Sequence, residues 1–233
     1  GRVARAGAAR AETSEKVNRI GGGLVPGNVK GVGDNVLAPE AAFGGGPGVI
    51  GIAGTGSIAD GRNLEGQTAR AGGWGFAISD EGSGHWIGRT AVAAALAAWD
   101  EDPEQDLRLI EILMKSWRVE TIEQLVPAAN ATPPPDFAAL FPAVLSLADS
   151  GDRIARDVMT QAGTQLAGLA GILLRRLFPR AGAVPVAMSG GVFGSSGLVR
   201  EVFYDSLHSG RPDLVIHPTI LEPVRGARDV ARQ

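Results

Sequence analysis

At 233 residues, with 44% hydrophobic and 20% charged side chains, the chain has an ordinary core-forming balance and room for one large domain or two small ones. Its formal charge of −3 comes from 22 basic and 25 acidic residues in no basic stripe, which argues against nucleic acid as a partner; no apolar run reaches the roughly 20 residues of a membrane span. Cysteine is absent, which excludes disulfides, cysteine zinc sites and iron–sulfur clusters and favours the cytoplasm, and the three histidines (His85, His208, His217) lack the spacing of metal ligands.

Residues 1–33 are rich in Gly, Arg and Ala with weak apolar periodicity, and they lack the apolar core of a secretory signal; they read as an irregular lead-in. An Ala-rich stretch at 36–43 suits a short helix, limited by Pro39. Residues 49–53 read as a buried strand ended by Gly54-Thr55-Gly56-Ser57, and turn signals at Asp60-Gly61 and Glu65-Gly66 make 49–72 a set of strands joined by tight turns. A glycine-rich loop at 72–75 leads through Asp80-Glu81-Gly82-Ser83-Gly84 into a helical stretch reaching Trp99. Pro103 is expected to open a helix running to Trp117. After the rigid break at 133–135, Asp136 is expected to cap a helix through Ala148. Apolar positions 154, 158, 162, 166, 169, 173 and 177 predict one long helix. A buried strand at 184–188 runs into Ser189-Gly190-Gly191-Val192, followed by a helix through Leu207, a strand at 214–216 and a helical turn or two at 226–232. The class is α/β: a mixed sheet flanked by long helices.

Glycine is the compositional oddity, at 34 residues, and its clusters are where ligand chemistry is expected. Gly54-Thr55-Gly56-Ser57-Ile58-Ala59 fits the letters of a dinucleotide fingerprint, but Gly61 and Gly66 forbid the helix that such a site requires. A phosphate loop of the G-x-x-x-x-G-K-[ST] kind is absent too. What remains is a strand–glycine turn–strand, which is either a plain hairpin turn or a place where bare N–H groups approach an anion. The second strand-to-glycine junction at 189–192 favours the anion reading, since two such junctions form a nucleotide cleft in actin-like folds. Trp74 between glycines suits a platform under a sugar ring, and Asp80 suits an acceptor for sugar hydroxyls; Asp80 or Ser83 could equally be the N-cap of the following helix.

Taken jointly, I-A-G-T-G-S-I-A-x-G-R, R-A-G-G-W-G and D-E-G-S-G-x-W-I-G-R resemble the BadF/BadG/BcrA/BcrD-type ATPase family, and within it the N-acetylglucosamine and glucosamine kinases, over residues 34 to about 230. The resemblance implies a ribonuclease-H-like (actin-like ATPase) lobe spanning 34–233, with ATP and Mg²⁺ as cofactors and a small amino sugar as substrate. Gly54, Thr55, Gly56 and Ser57 would be the second phosphate loop, and Gly190, Gly191 and Ser195 would flank the adenosine. Gly73, Trp74, Gly75 and Asp80 would line the sugar site. Asp34 matches the position of the family's catalytic base, although Gly-Asp-Asn departs from the usual Asn-Asp-Ala and an ordinary turn aspartate fits there as well.

The departure from the family is at the front, where its members open with a D-G-G-G-T turn whose Asp helps place Mg²⁺. Gly21-Gly22-Gly23 lacks both the Asp and the hydroxyl, so residues 1–33 read as a remnant of a first lobe. The leading reading is therefore an ATP-dependent kinase for a hydroxyl of N-acetylglucosamine or a relative, with a non-catalytic sugar- or nucleotide-binding remnant as the alternative and a homodimer through the long helices as a third. The missing cysteines separate it from the family's iron–sulfur activases.

Overall fold

The computed structural model describes residues 2–4, 30–32, 42–103, 108–180 and 182–221. Asp34, most of the helix expected at 36–43 and the helical turn expected at 226–232 lie outside them. Within the stretch expected to be irregular, β1 (Arg2–Ala4) and β2 (Lys30–Val32) pair in parallel, with Val3 opposite Gly31.

The main sheet holds β3 (Gly48–Ala53), β4 (Ser57–Arg62), β5 (Thr68–Gly72), β6 (Pro185–Ser189) and β7 (Val215–Leu221) in the order β5-β4-β3-β6-β7. The hairpins β3–β4 and β4–β5 are antiparallel, as the turn signals at 54–57 and Glu65-Gly66 require, whereas β3–β6 and β6–β7 are parallel. Asp60-Gly61, also expected to be a turn, lies inside β4 with both residues paired. The sheet is mixed, as expected. β7 is longer than the three residues expected, and Pro218 falls where its pairing with β6 shifts register, between Ile216 and Ile220.

Between β5 and β6 the chain forms α1 (Gly84–Glu101), α2 (Arg108–Trp117), α3 (Ile122–Ala129), α4 (Phe141–Asp149) and α5 (Arg153–Leu177). After β6 come the short α6 (Gly191–Ser195) and α7 (Gly197–Gly210). Pro103 lies in a turn and the helix is described over Arg108–Trp117; the start expected next to Pro103 falls on 104–107, outside the described residues. Asp136 caps a 3-10 turn, Phe137–Leu140, by accepting from the Ala139 N–H, and α4 follows it with Pro142 in its first turn. The helix after β6 is two helices, because Ser196 takes an extended conformation and its Oγ caps α7 through the Val199 N–H at 3.2 Å. α3 was not anticipated, since Pro127 lies inside it.

The long helix α5 lies against the odd-numbered face of the sheet. Its small residues Ala155, Ala162, Ala167 and Ala170 are buried, and at Gly163 any side chain would meet Val202 of α7 at 2.8 Å. Gly51 leaves space for an edge-to-face pair, Phe193 on Phe203, with ring centroids 5.1 Å apart. The opposite face buries Ile50 and Ala187 beneath Ala42 and Phe43. No described helix is long and apolar enough to cross a membrane.

On that second face Asp60 sits buried in β4, opposite Arg70 of β5, and its Oδ2 has no hydrogen-bond partner among the described residues. Burial pushes its carboxyl up to about 7, and the Arg70 guanidinium opposes the rise. The unfolded carboxyl titrates near 3.9. The folded state therefore holds a proton that the unfolded state has lost between about pH 4 and pH 7. Stability falls with rising pH across that window and stays lowered above it. Asp60→Asn should remove that dependence, so that the variant's gain over wild type grows by a few kcal/mol between pH 5 and pH 8. Urea denaturation at both pH values measures it, and parallel curves for the two proteins would contradict the assignment.

Candidate functional site

The parallel pairing of β3 with β6 sets Ile52 beside Ser189, so the two glycine junctions leave the sheet side by side at the carboxyl ends of the strands. That is where open α/β sheets bind ligands. Gly190 has φ +96°, and a Cβ there would collide with the Ala53 backbone carbonyl; only glycine permits the chain to turn so close to its neighbour. A cleft of about 420 Å³ opens at this point. Gly54 and Thr55 line one side, Gly191 and Ser195 another, and Phe141 with Pro142 supplies an apolar wall.

The Gly54 N–H is used inside the turn, donating to the Gly56 carbonyl at 2.9 Å. The amides of Thr55 and Gly56 donate to nothing among the described residues, and Thr55 is exposed. Two adjacent unspent N–H groups and a hydroxyl at the mouth of a cleft suit an anion. Ser57 departs from its expected part in this loop. It is buried, and its Oγ donates to the Glu81 carbonyl at 2.7 Å, so the hydroxyl is turned away from the cleft and already engaged.

Asp80 and Glu81 belong to the turn that precedes α1. Ser83 is the N-cap, accepting from the Trp86 N–H at 3.1 Å, and this leaves Asp80 free of capping. The Asp80 carboxylate instead lies against the glycine loop. Its Oδ1 is 3.5 Å from the Ser57 N–H, and a Cβ on Gly56 would come within 3.0 Å of Oδ2. Burial, the largest influence, raises the Asp80 carboxyl above its ordinary range, and Glu81 adds to it; the Ser57 N–H and His85 pull it down.

Asp80 borders a small recess of about 70 Å³ together with Glu81, His85, Arg89 and the rings of Phe76 and Trp86. Glu81 is held by the Ser79 hydroxyl at 2.6 Å. His85 packs between Phe76 and Phe137, and burial, then the Arg89 charge, lowers its basicity while Asp80 and Asp136 raise it. Trp74 does not border this recess. It stands 58% exposed on the neighbouring loop, with the Arg70 guanidinium 4.5 Å from its ring centroid, so a cation already covers one face of the expected platform. Gly73 and Gly75 hold that loop with positive φ, and the Trp74 N–H donates to the Ser79 carbonyl.

The structure thus brings Gly54, Thr55, Gly191 and Ser195 to one cleft, with Gly56 next to Thr55 in the same turn, and sets Asp80 against Gly56 and Ser57; Ser57 and Gly190 do not line the cleft. Glu81, His85 and Arg89 escaped the reading of the sequence. The spacing of His85 and Arg89, one helical turn apart just after Asp80, was the available signal.

Comparison with known proteins adds an independent line. The family model described as the BadF/BadG/BcrA/BcrD ATPase family matches residues 28–227. An N-acetylmuramic acid/N-acetylglucosamine kinase of Clostridium acetobutylicum is 32% identical over 187 residues, covering 79% of this chain and 61% of that protein. An N-acetyl-D-glucosamine kinase of Dictyostelium discoideum is 29% identical over 185 residues, covering 77% and 57%. The chain therefore spans about three-fifths of the length of the curated relatives it matches. A crystal structure from Chromobacterium violaceum, assigned as an N-acetylglucosamine kinase, superposes with a TM-score of 0.63 at 29% identity, covering 88% of this chain and 67% of that one.

The close packing at Gly190 makes a stability prediction. Gly190→Ala must relax both a positive φ and a backbone collision, so it should lower the unfolding free energy by at least ~2 kcal/mol in urea titration. A neutral result would mean that β3 and β6 do not approach as described.

Proposed function

The chain belongs to the BadF/BadG/BcrA/BcrD ATPase family, and from that premise we propose that it serves an ATP-dependent kinase reaction on a hydroxyl of N-acetylglucosamine or a close amino sugar. The carrying observation is the pair of unspent amides at Thr55 and Gly56, placed between a cleft on one side and the Asp80 carboxylate on the other. A phosphate chain can approach those amides from the cleft while a sugar hydroxyl reaches Asp80. The names carried by the related proteins support the same substrate class.

In this reading the Thr55 and Gly56 N–H groups and the Thr55 hydroxyl bind phosphate oxygens. Gly191 and Ser195 flank the adenosine against the Phe141–Pro142 wall. Asp80 accepts from sugar hydroxyls, and its burial strengthens that bond by removing competing water. Trp74, between Gly73 and Gly75, borders the sugar with the face that Arg70 leaves open. Asp34, outside the described residues, takes the proton of the attacking hydroxyl. ATP supplies the phosphoryl group, and Mg²⁺ arrives with it; such an ion rides largely on phosphate oxygens and water. That mode is compatible with a site in which no described cluster of three acidic or histidine side chains could hold a metal. Catalysis would rest on holding the hydroxyl in line with the γ-phosphorus in a charge-neutralised site.

Calorimetry and a coupled assay on the chain test this reading. A non-hydrolysable ATP analogue with Mg²⁺ should bind, and Gly191→Val should weaken it at least tenfold. A Cβ at Gly191 meets nothing within 4 Å, so the fold should survive while the cleft narrows. Trp74→Ala should weaken N-acetylglucosamine binding by about 1–3 kcal/mol, the range for an aromatic contact residue. Binding of neither ligand would remove the proposal, and binding of both without turnover would identify a non-catalytic module.

A further inference from the structure

The two ligand regions are built on loops that the chain separates by more than twenty residues, yet they are tied together at several atoms. The Gly84 N–H donates to the Gly54 carbonyl at 2.8 Å, and the His85 N–H donates to the Thr55 carbonyl at 3.2 Å. The Ser57 Oγ donates to the Glu81 carbonyl at 2.7 Å. The Ser57 N–H lies 3.5 Å from Asp80 Oδ1, and Asp80 Oδ2 rests on the bare Cα of Gly56. These contacts run across residues 54–57 on one side and 80–85 on the other. Ser57 makes two of them, one from its side chain and one from its backbone.

The hydroxyl of Ser57 is the one side-chain hydrogen bond in this joint that touches neither expected ligand. Its burial leaves no room for water to replace it, and without it the Glu81 carbonyl loses that donor. The backbone bonds at Gly84 and His85 fix the start of α1 to the glycine loop, while the Ser57–Glu81 bond fixes the turn that carries Asp80. With both in place, the turn that carries Asp80 is bonded to the glycine loop on both sides, so a displacement of that turn by a bound hydroxyl is passed on to Gly56 and Ser57. The unspent amides of Thr55 and Gly56 shift with them.

We propose that Ser57 is a positioning residue that makes the phosphate-binding turn and the Asp80 turn one rigid body, so that occupancy of either ligand region changes affinity at the other. The proposal rests on the kinase reading for the identity of the two ligands, and on the geometry alone for the joint. In-line transfer needs reacting atoms held to within about an ångström, and a rigid joint between the two half-sites supplies that register. A serine that served phosphate directly would instead lower nucleotide affinity when removed and leave the coupling between ligands intact.

Two measurements on the full chain separate these. In the first, amide hydrogen exchange is followed by NMR without ligands, in wild type, Ser57→Ala and Ser57→Thr. Ser57→Ala should speed exchange at Gly84 and His85 at least tenfold while the central amides of α5 keep their protection, and Ser57→Thr, which retains the hydroxyl, should restore the wild-type rates. Unchanged exchange at Gly84 and His85, or an equal loss of protection throughout α5, overturns the joint. In the second, the Kd of a non-hydrolysable ATP analogue with Mg²⁺ is measured with and without saturating N-acetylglucosamine. Wild type should show at least a fivefold difference. Ser57→Ala should show less than twofold, with each ligand alone binding within threefold of wild type. Coupling that survives in Ser57→Ala, or a large loss of nucleotide affinity alone, overturns the positioning role. If wild type binds neither ligand, the kinase reading and the coupling fall together, while the exchange result still decides the joint.

Discussion

The parallel pairing of β3 with β6 is the constraint on which everything else hangs. Val49 lies opposite Val186, and all five helices α1 to α5 lie in the chain between them. Parallel neighbours cannot be joined by a hairpin, so the helices form the crossover that lets the two strands meet. Closing so long a connection is entropically unfavourable, and what opposes that is the apolar face of α5 packed on β3, β4 and β5. Small residues on α5 bring it close, and α7 in turn packs on α5 through Gly163. The cleft is a consequence of this pairing. Two strands that end together must turn away together, and after β6 it is the bare backbone at Gly190 that makes the turn possible.

Two carboxylates, one in the sheet and one in the turn before α1, illustrate how differently the same group is treated. Asp60 is buried with an oxygen that finds no donor among the described residues, and the guanidinium opposite relieves only part of the desolvation. It is a local source of instability in a face otherwise lined by Ile50 and Ala187. Asp80 is half-buried and also raised, but one oxygen is near an amide and the other rests against a glycine. That leaves it short of donors at a place open to a ligand. On the proposed function, a sugar hydroxyl would supply the donor that Asp80 lacks.

Each loop around the cleft is positioned by another loop as much as by its own strand. The turn before α1 takes its place from the glycine loop through Gly84, His85 and Ser57, and the Trp74 loop closes on Ser79. Arg70 lies over the tryptophan and opposite Asp60. A charge change in the sheet face is therefore one side chain away from the Trp74 loop. The site is a set of mutually braced turns on one edge of a sheet, with little in it that a single segment would form alone.

Local pattern was enough to locate most of the fold. Alternation and apolar runs marked β3 and β6 to within a residue, the three- and four-residue spacing marked α5, and glycine clusters marked both junctions, because these signals depend only on neighbours along the chain. The family motifs, read jointly, singled out the two glycine junctions that the structure sets side by side at one cleft. What the sequence could not decide were contacts between segments. α3 was hidden by Pro127, the helix after β6 was split by one extended serine, and the added strand pair β1–β2 depends on a partner about thirty residues away. Ser57 read as a phosphate ligand and turned out to hold Glu81, and Trp74 read as a free platform and turned out to carry Arg70. In each case the side chain's chemistry was legible and its partner was not. A hydroxyl or an aromatic face satisfies whichever group packing brings within reach, and only the tertiary structure decides which group that is.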